Sequence, residues 1–100
     1  MKDLKETKDL MVSSNYQDRF IAEYWQLKIR YEKLKNMCDK WDSGKLDFTP
    51  TCQRFIYDAQ LTYMESYMHI LQKRAELEKI DLLKGEKENE EHYKTTIKMD

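Results

Sequence analysis

Residues 20–41 read FIAEYWQLKIRYEKLKNMCDKW. Within them Phe20, Tyr24, Leu27, Tyr31, Leu34, Cys38 and Trp41 follow one another at steps of 4, 3, 4, 3, 4 and 3. A strand repeats every second residue, so this alternation belongs to one face of a continuous helix with a coiled-coil-like seam. Upstream, Ser14 and Gln17 have the spacing of a capping box, which starts the helix near residue 14. Downstream, Gly44 is the residue type that follows a helix C-terminus, so the helix ends near 43.

Beyond it, residues 45–48 read as a short loop, and Thr49-Pro50 is a second start signal with proline at the first helical position. Nothing from there to Gly85 breaks a helix, so a second helix is expected over 50–84. Two long helices on a short loop make an antiparallel hairpin. Residues 1–13 form an N-terminal arm or short helix ahead of it. Residues 85–100 follow as a charged tail or a weak terminal helix. The hairpin proper thus covers 14–84, as 14–43 and 50–84, and the fold class is all-α.

Each long helix carries more apolar surface than one partner helix can cover. The second helix has two adjacent stripes. One is Ile56, Tyr63, Tyr67, Ile70 and Leu77; the other is Tyr57, Leu61, Met64, Met68, Leu71, Ala75 and Leu82. The first helix adds Ile21, Trp25 and Ile29 beside its main seam. Leu27, Leu34, Ile56 and Tyr63 are assigned to packing within the hairpin. Trp25, Tyr57, Leu61, Met64 and Met68 are then the surplus, with Tyr57, Met64 and Met68 packing between hairpins. Burial is worth roughly 25 cal/mol per Å2 of apolar surface, so a surplus of this size favours self-association into a helical homo-oligomer. Residues 1–12 can cover only part of it.

Composition narrows the function. Of 100 residues, 37% are charged, yet Lys+Arg 18 against Asp+Glu 19 leaves a net charge of −1. A domain that coats duplex DNA is normally basic, so duplex DNA is excluded as a partner. Gly 2 and Pro 1 provide too few turns for sandwiches, barrels or α/β folds. No apolar run approaches the ~20 residues of a membrane span, and MKDLKETKDL lacks the apolar core of a signal peptide, which places the chain in the cytoplasm. Cys38 and Cys52 are spaced for a disulfide across the hairpin, but two buried free thiols are the preferred reading. With His69 and His92 distant in sequence they make no zinc site.

No catalytic constellation stands out. Glu86, Glu88, Glu90, Glu91 and His92 read as a solvated charge run, and His69 as a surface or interface residue rather than a base. No cofactor is called for, and the chain is read as a binding protein, not an enzyme. Lys28, Arg30, Lys33 and Lys35, opposed only by Glu32, form either a phosphate-holding patch or an ordinary solvated helix face. Tyr16 opens the first helix, where it can stack on a base or staple the helix start. Tyr16 and Lys33 lie 17 positions apart, or ~25 Å along a helix, so one small nucleotide reaches both only between two protomers.

The stretches YQDRFIAEYWQLKIRYEKLKNM (16–37), DFTPTC (47–52) and YMHILQKRAELEKIDL (67–82) resemble a family of small helical-hairpin proteins from crAss-like and other tailed phages. They are more distantly similar to phage anti-CBASS and anti-Thoeris sponges. The resemblance spans about residues 15–83. It implies a phage protein that sequesters a cyclic di- or trinucleotide, or a cyclic ADP-ribose isomer, and so inhibits host anti-phage defence as an oligomer, often a hexamer. Position by position it makes Tyr16 a base-stacking or pocket-wall residue, with Arg19 of the same Tyr-Gln-x-Arg start among the ligand residues. Lys33 becomes a phosphate contact, and Arg74 a second one at a separate site for larger rings. The longer N-terminal arm, the acidic tail and the tyrosine-rich second helix depart from the sponge pattern. The alternative is a small helical phage protein that docks on and inhibits a host protein, or a structural phage protein.

Overall fold

The computed structural model describes residues 1–83. These form a 3-10 turn over Leu4–Thr7, a short helix α1 (Lys8–Met11), and two long helices, α2 (Tyr16–Asp42) and α3 (Arg54–Glu78). The two long helices run antiparallel as a hairpin, and no strand occurs among the described residues. The charged tail, including Glu86, Glu88, Glu90, Glu91 and His92, lies outside the described residues, as does the expected stop at Gly85.

Helix α2 starts one residue later than a Ser14 cap would place it. Asn15 is the N-cap, and its side-chain oxygen accepts from the Gln17 and Asp18 N–H groups at 2.7 and 3.4 Å. Asparagine caps as well as serine does. Ser13 braces the turn instead, accepting from the Asn15 N–H and donating to Asp18.

At the far end of α2 the Gly44 N–H reaches the Trp41 carbonyl and the Lys45 N–H reaches that of Lys40, with Gly44 at φ 71. This is a Schellman motif, and its left-handed residue is the glycine such a position favours. Helix α3 ends in the same way: Lys79 N–H to Glu76, Ile80 N–H to Ala75, with Lys79 itself at φ 58. The second helix therefore stops at Glu78 rather than continuing to 84. Ile80, 7% exposed, turns back into the core beside Ala75, and that apolar contact sets the stop where no glycine marks it. A β-carbon at positive φ is strained, so Lys79→Gly should stabilise the chain by about 1 kcal/mol, raising Tm by several degrees in thermal denaturation. An unchanged or lower Tm would mean that lysine is relaxed there.

The start of α3 also differs from expectation. Thr49-Pro50 lies in the loop, and the helix begins at Arg54. Proline tolerates a helix start but supplies no bond that enforces one. Arg54 is held by two acids, Asp42 at the end of α2 and Asp58 one turn on, and lies over the Trp41 ring at 5.4 Å. This clamp closes the hairpin four residues later than the proline suggests.

The α2 seam of Phe20, Tyr24, Leu27, Tyr31, Leu34, Cys38 and Trp41 faces inward as its spacing requires. On α3 the assignment of stripes is reversed. Met68, Leu71 and Ala75 are buried in the single chain and Tyr57, Leu61 and Met64 are half-buried. Ile56, Tyr63, Tyr67, Ile70 and Leu77 are exposed instead, Tyr63 at 75% and Leu77 at 69%. Met64 and Met68 therefore belong to the hairpin's own seam.

Trp25 is not surplus either. The second stripe of α2, Ile21, Trp25 and Ile29, is buried, with Met1, Leu10 and Leu82 among the residues packed on this core. The Trp25 indole donates to the Leu82 carbonyl at 2.6 Å, tying the segment after α3 to α2. Thr7, 1% exposed, donates to the Leu4 carbonyl and accepts from Gln26, which docks the N-terminal turn. Both cysteines are free thiols. Cys38 is buried, which pushes its thiol pKa up and keeps it protonated, whereas Cys52 is exposed, contrary to its expected burial.

Candidate functional site

Because the helices are antiparallel, the start of α2 lies beside the end of α3. Tyr16, the first residue of α2, meets Arg74 and Glu78 from the last two turns of α3. The Tyr16 hydroxyl donates to Glu78 Oε1 at 2.7 Å and accepts from Arg74 Nη2 at 2.9 Å, while Arg74 Nε donates to Glu78 Oε2 at 3.2 Å. Under this triangle lies Phe20, 2% exposed. Its ring meets that of Tyr16 edge-on at 6.2 Å and carries the Arg74 guanidinium at 4.9 Å. Arg74 and Glu78 remain open, with 45% and 35% of their side chains exposed.

The electrostatics follow from these contacts. The Glu78 carboxyl is held below its ordinary pKa by the Tyr16 hydroxyl and then by Arg74, so it is ionised at neutral pH. The same Glu78 hydrogen bond raises the Tyr16 pKa and keeps the phenol protonated, and Glu78 likewise raises that of Arg74. An aromatic ring and a guanidinium, presented together at an open helix end, can stack a planar group and hold an anion.

The resemblance implies a separate site for Arg74; in the structure its side chain is in direct contact with Tyr16 of the same chain. Arg19 stands one turn further along α2, and its Nη1 donates to the Ser13 carbonyl at 2.8 Å, so it braces the α1–α2 turn. Lys33 lies far along α2. It stands on the ridge between two shallow grooves. One runs past Lys40, Lys45 and Phe48; the other runs past Lys2, Lys28 and Trp25. The basic cluster is thereby divided. Lys28 stays with Lys33 in one groove, over the Trp25 ring at 5.0 Å, while Lys35 pairs with Asp39, and Lys2, Lys40 and Lys45 join the grooves from outside the cluster.

Two participants escaped the sequence reading. Glu78 reads as one more solvated acid at a helix end, and only its i,i+4 spacing from Arg74 signals a pairing. Phe48 reads as a loop residue, yet it is 53% exposed beside the lysine groove. Among the described residues no group of three or more His, Cys, Asp or Glu side chains is placed to hold a metal ion. No helix among them is long and apolar enough to cross a membrane.

This chain belongs to the Sequestin family, whose model matches residues 14–77. The matched span runs from the turn before α2 to the last turn of α3 and includes Tyr16, Lys33 and Arg74. The family name denotes sequestration, which is binding rather than catalysis. No curated protein and no solved structure matches the chain.

Proposed function

We propose that this protein is a phage-encoded, non-enzymatic sponge. It sequesters cyclic nucleotide immune signals in the host cytoplasm and so blunts anti-phage defence. Membership of a sequestering family supports the first half of this reading. The observation that carries the ligand class is the Tyr16–Arg74 pair on Phe20, which offers stacking and charge-assisted phosphate contact from one open surface. Lys33 is the second phosphate contact, in a groove with further lysines.

The ~25 Å of helix between Tyr16 and Lys33 makes the assembled site depend on a second copy. The exposed stripe of Ile56, Tyr63, Tyr67, Ile70 and Leu77 supplies the apolar face on which copies of this chain meet. Arg19 supports the pocket by bracing its turn.

The test is a thermal-shift panel of cyclic di- and trinucleotides and cyclic ADP-ribose isomers. A ligand at a hundred times its Kd stabilises by about 2.7 kcal/mol, a rise of about 10–20 °C in Tm. Arg74→Ala and Lys33→Ala should each weaken binding about tenfold by calorimetry, with Tm of the free protein nearly unchanged. Chromatography after denaturation should return the ligand intact. A flat response across the panel would overturn the sponge reading in favour of docking on a host protein. A cleaved ligand would overturn the non-enzymatic one.

A further inference from the structure

We infer that Glu78 is a built-in competitor for the anion site: its carboxylate occupies the Arg74 and Tyr16 donors in the free protein and must leave before a phosphate can take them. The inference rests on the reading of Arg74 as a phosphate contact. Both Glu78 oxygens are committed, one accepting from Tyr16 at 2.7 Å and the other from Arg74 Nε at 3.2 Å. A carboxylate in that position presents an anionic acceptor to the donors a phosphate would use.

Two further observations separate a competitor from a brace. First, the guanidinium does not depend on Glu78 for its position. It rests on the buried Phe20 ring and bonds to the Tyr16 hydroxyl as well. When the carboxylate swings out, Arg74 keeps its place and its Nε–H becomes free for an incoming anion, as does the Tyr16 O–H. Second, Glu78 is the last residue of α3, and the last turn of that helix contains no basic residue. An acid at a helix C-terminus opposes the macrodipole, so a carboxylate there answers to its Arg74 and Tyr16 partners rather than to the helix end. Both side chains are also open to solvent, so the exchange needs no rearrangement of the core.

The consequence is selectivity. Every anion that displaces the carboxylate loses the same factor in affinity. A weakly held single-charge anion then falls out of the binding range, whereas a ligand with several phosphates, anchored elsewhere at the same time, stays within it. Glu78 thus raises the threshold against abundant small anions.

The test titrates wild type, Glu78→Gln and Glu78→Ala with cyclic triadenylate and with inorganic pyrophosphate at low salt. Calorimetry gives affinity, and the NMR signal of the Arg74 Nε–H reports contact. Both variants should bind both probes about three- to fivefold tighter, the range expected of a solvent-open ion pair. The gain should vanish on an Arg74→Ala background. If wild type binds and the variants bind equally, Glu78 does not compete and the inference fails while the sponge reading stands. If the variants bind more weakly, Glu78 positions Arg74 instead, and the inference is overturned with the opposite sign. If none of the three proteins binds either probe and the Arg74 signal stays still, Arg74 is not an anion contact, and both this inference and its placement in the proposed site fall. Binding by the variants alone would support the competitor in its strongest form.

Discussion

Leu71→Ala should cost the protein about 3 kcal/mol and lower Tm by about 15 °C. Leu71 is 0% exposed at the middle of the α2–α3 seam, between Met68 and Ala75, and belongs to the same buried cluster as Phe20, Tyr24 and Trp25. Truncation removes the transfer energy of the lost atoms and leaves a cavity that two long helices cannot close without shifting their whole contact. Leu77, 69% exposed on the neighbouring stripe, is the control. Its replacement by alanine should move stability by no more than about 0.5 kcal/mol in dilute protein. Any larger effect of Leu77→Ala should grow with protein concentration, because it would arise from association, whereas the Leu71 effect should not. Denaturant melts of both variants at two concentrations decide this. Equal costs for the two leucines would mean that the hairpin seam has been placed on the wrong face of α3.

That choice of face shows how much of the fold was legible. The existence and direction of the two helices follow from the 4-3 spacing after Phe20 and from the caps around residues 15 and 44. Which of two parallel stripes on α3 faces α2 was assigned the wrong way, although the sequence holds a clue. Tyr57, Leu61, Met64, Met68, Leu71 and Ala75 run without interruption, while Ile56 through Leu77 is broken by Gln60 and Arg74 at the intervening seam positions. A seam that must exclude water along its length selects the unbroken stripe. The rotation is then fixed by cross-helix polar ties at its edges: Tyr31 to Glu65, Tyr67 to Glu23 and Gln72 to Tyr24. Such ties depend on three-dimensional register and leave no mark in periodicity. The end of α3 was obscured for a related reason. Lys79 takes a left-handed conformation that lysine does not advertise, because Ile80 gains more by entering the core than the backbone loses.

The candidate site was legible in its parts but not in its arrangement. Tyr16 and Arg74 could be named from the sequence, yet their contact depends on how far each helix runs. With α3 beginning at Arg54 and ending at Glu78, Arg74 falls one turn from its C-terminus, opposite the first residue of α2. Lys33 stays remote, as the helical rise requires. Charge in sequence order also misleads here. Lys28, Arg30, Lys33 and Lys35 are neighbours in the chain but point around the helix at 100° per residue, and the lysine groove is completed from Lys40 and Lys45 instead.

On the proposed reading, Ile70→Lys should break the assembly while leaving each hairpin folded. Ile70 is 58% exposed in the single chain, flanked by Tyr67 and Leu77 on the stripe that the hairpin leaves uncovered. A lysine there keeps its ammonium in water in the monomer, and lysine is as good a helix former as the position needs, so helicity by circular dichroism should be unchanged. Between copies the same ammonium would be enclosed by apolar side chains without a counter-charge. A closed, self-complementary contact presents the substitution on both of its sides, so the penalty enters twice. Association should weaken by at least a hundredfold, about 2.7 kcal/mol, enough to convert an assembly at micromolar concentration to monomer in sedimentation velocity. The same variant should lose ligands that need Lys33 of one copy and Tyr16 of another. Weak anion contact at the Arg74 end should survive, because all of Tyr16, Phe20, Arg74 and Glu78 come from one chain. A wild type that sediments as monomer, or an Ile70→Lys protein that keeps its assembly, would show that copies do not meet on this stripe, and a host protein would become the occupant to seek.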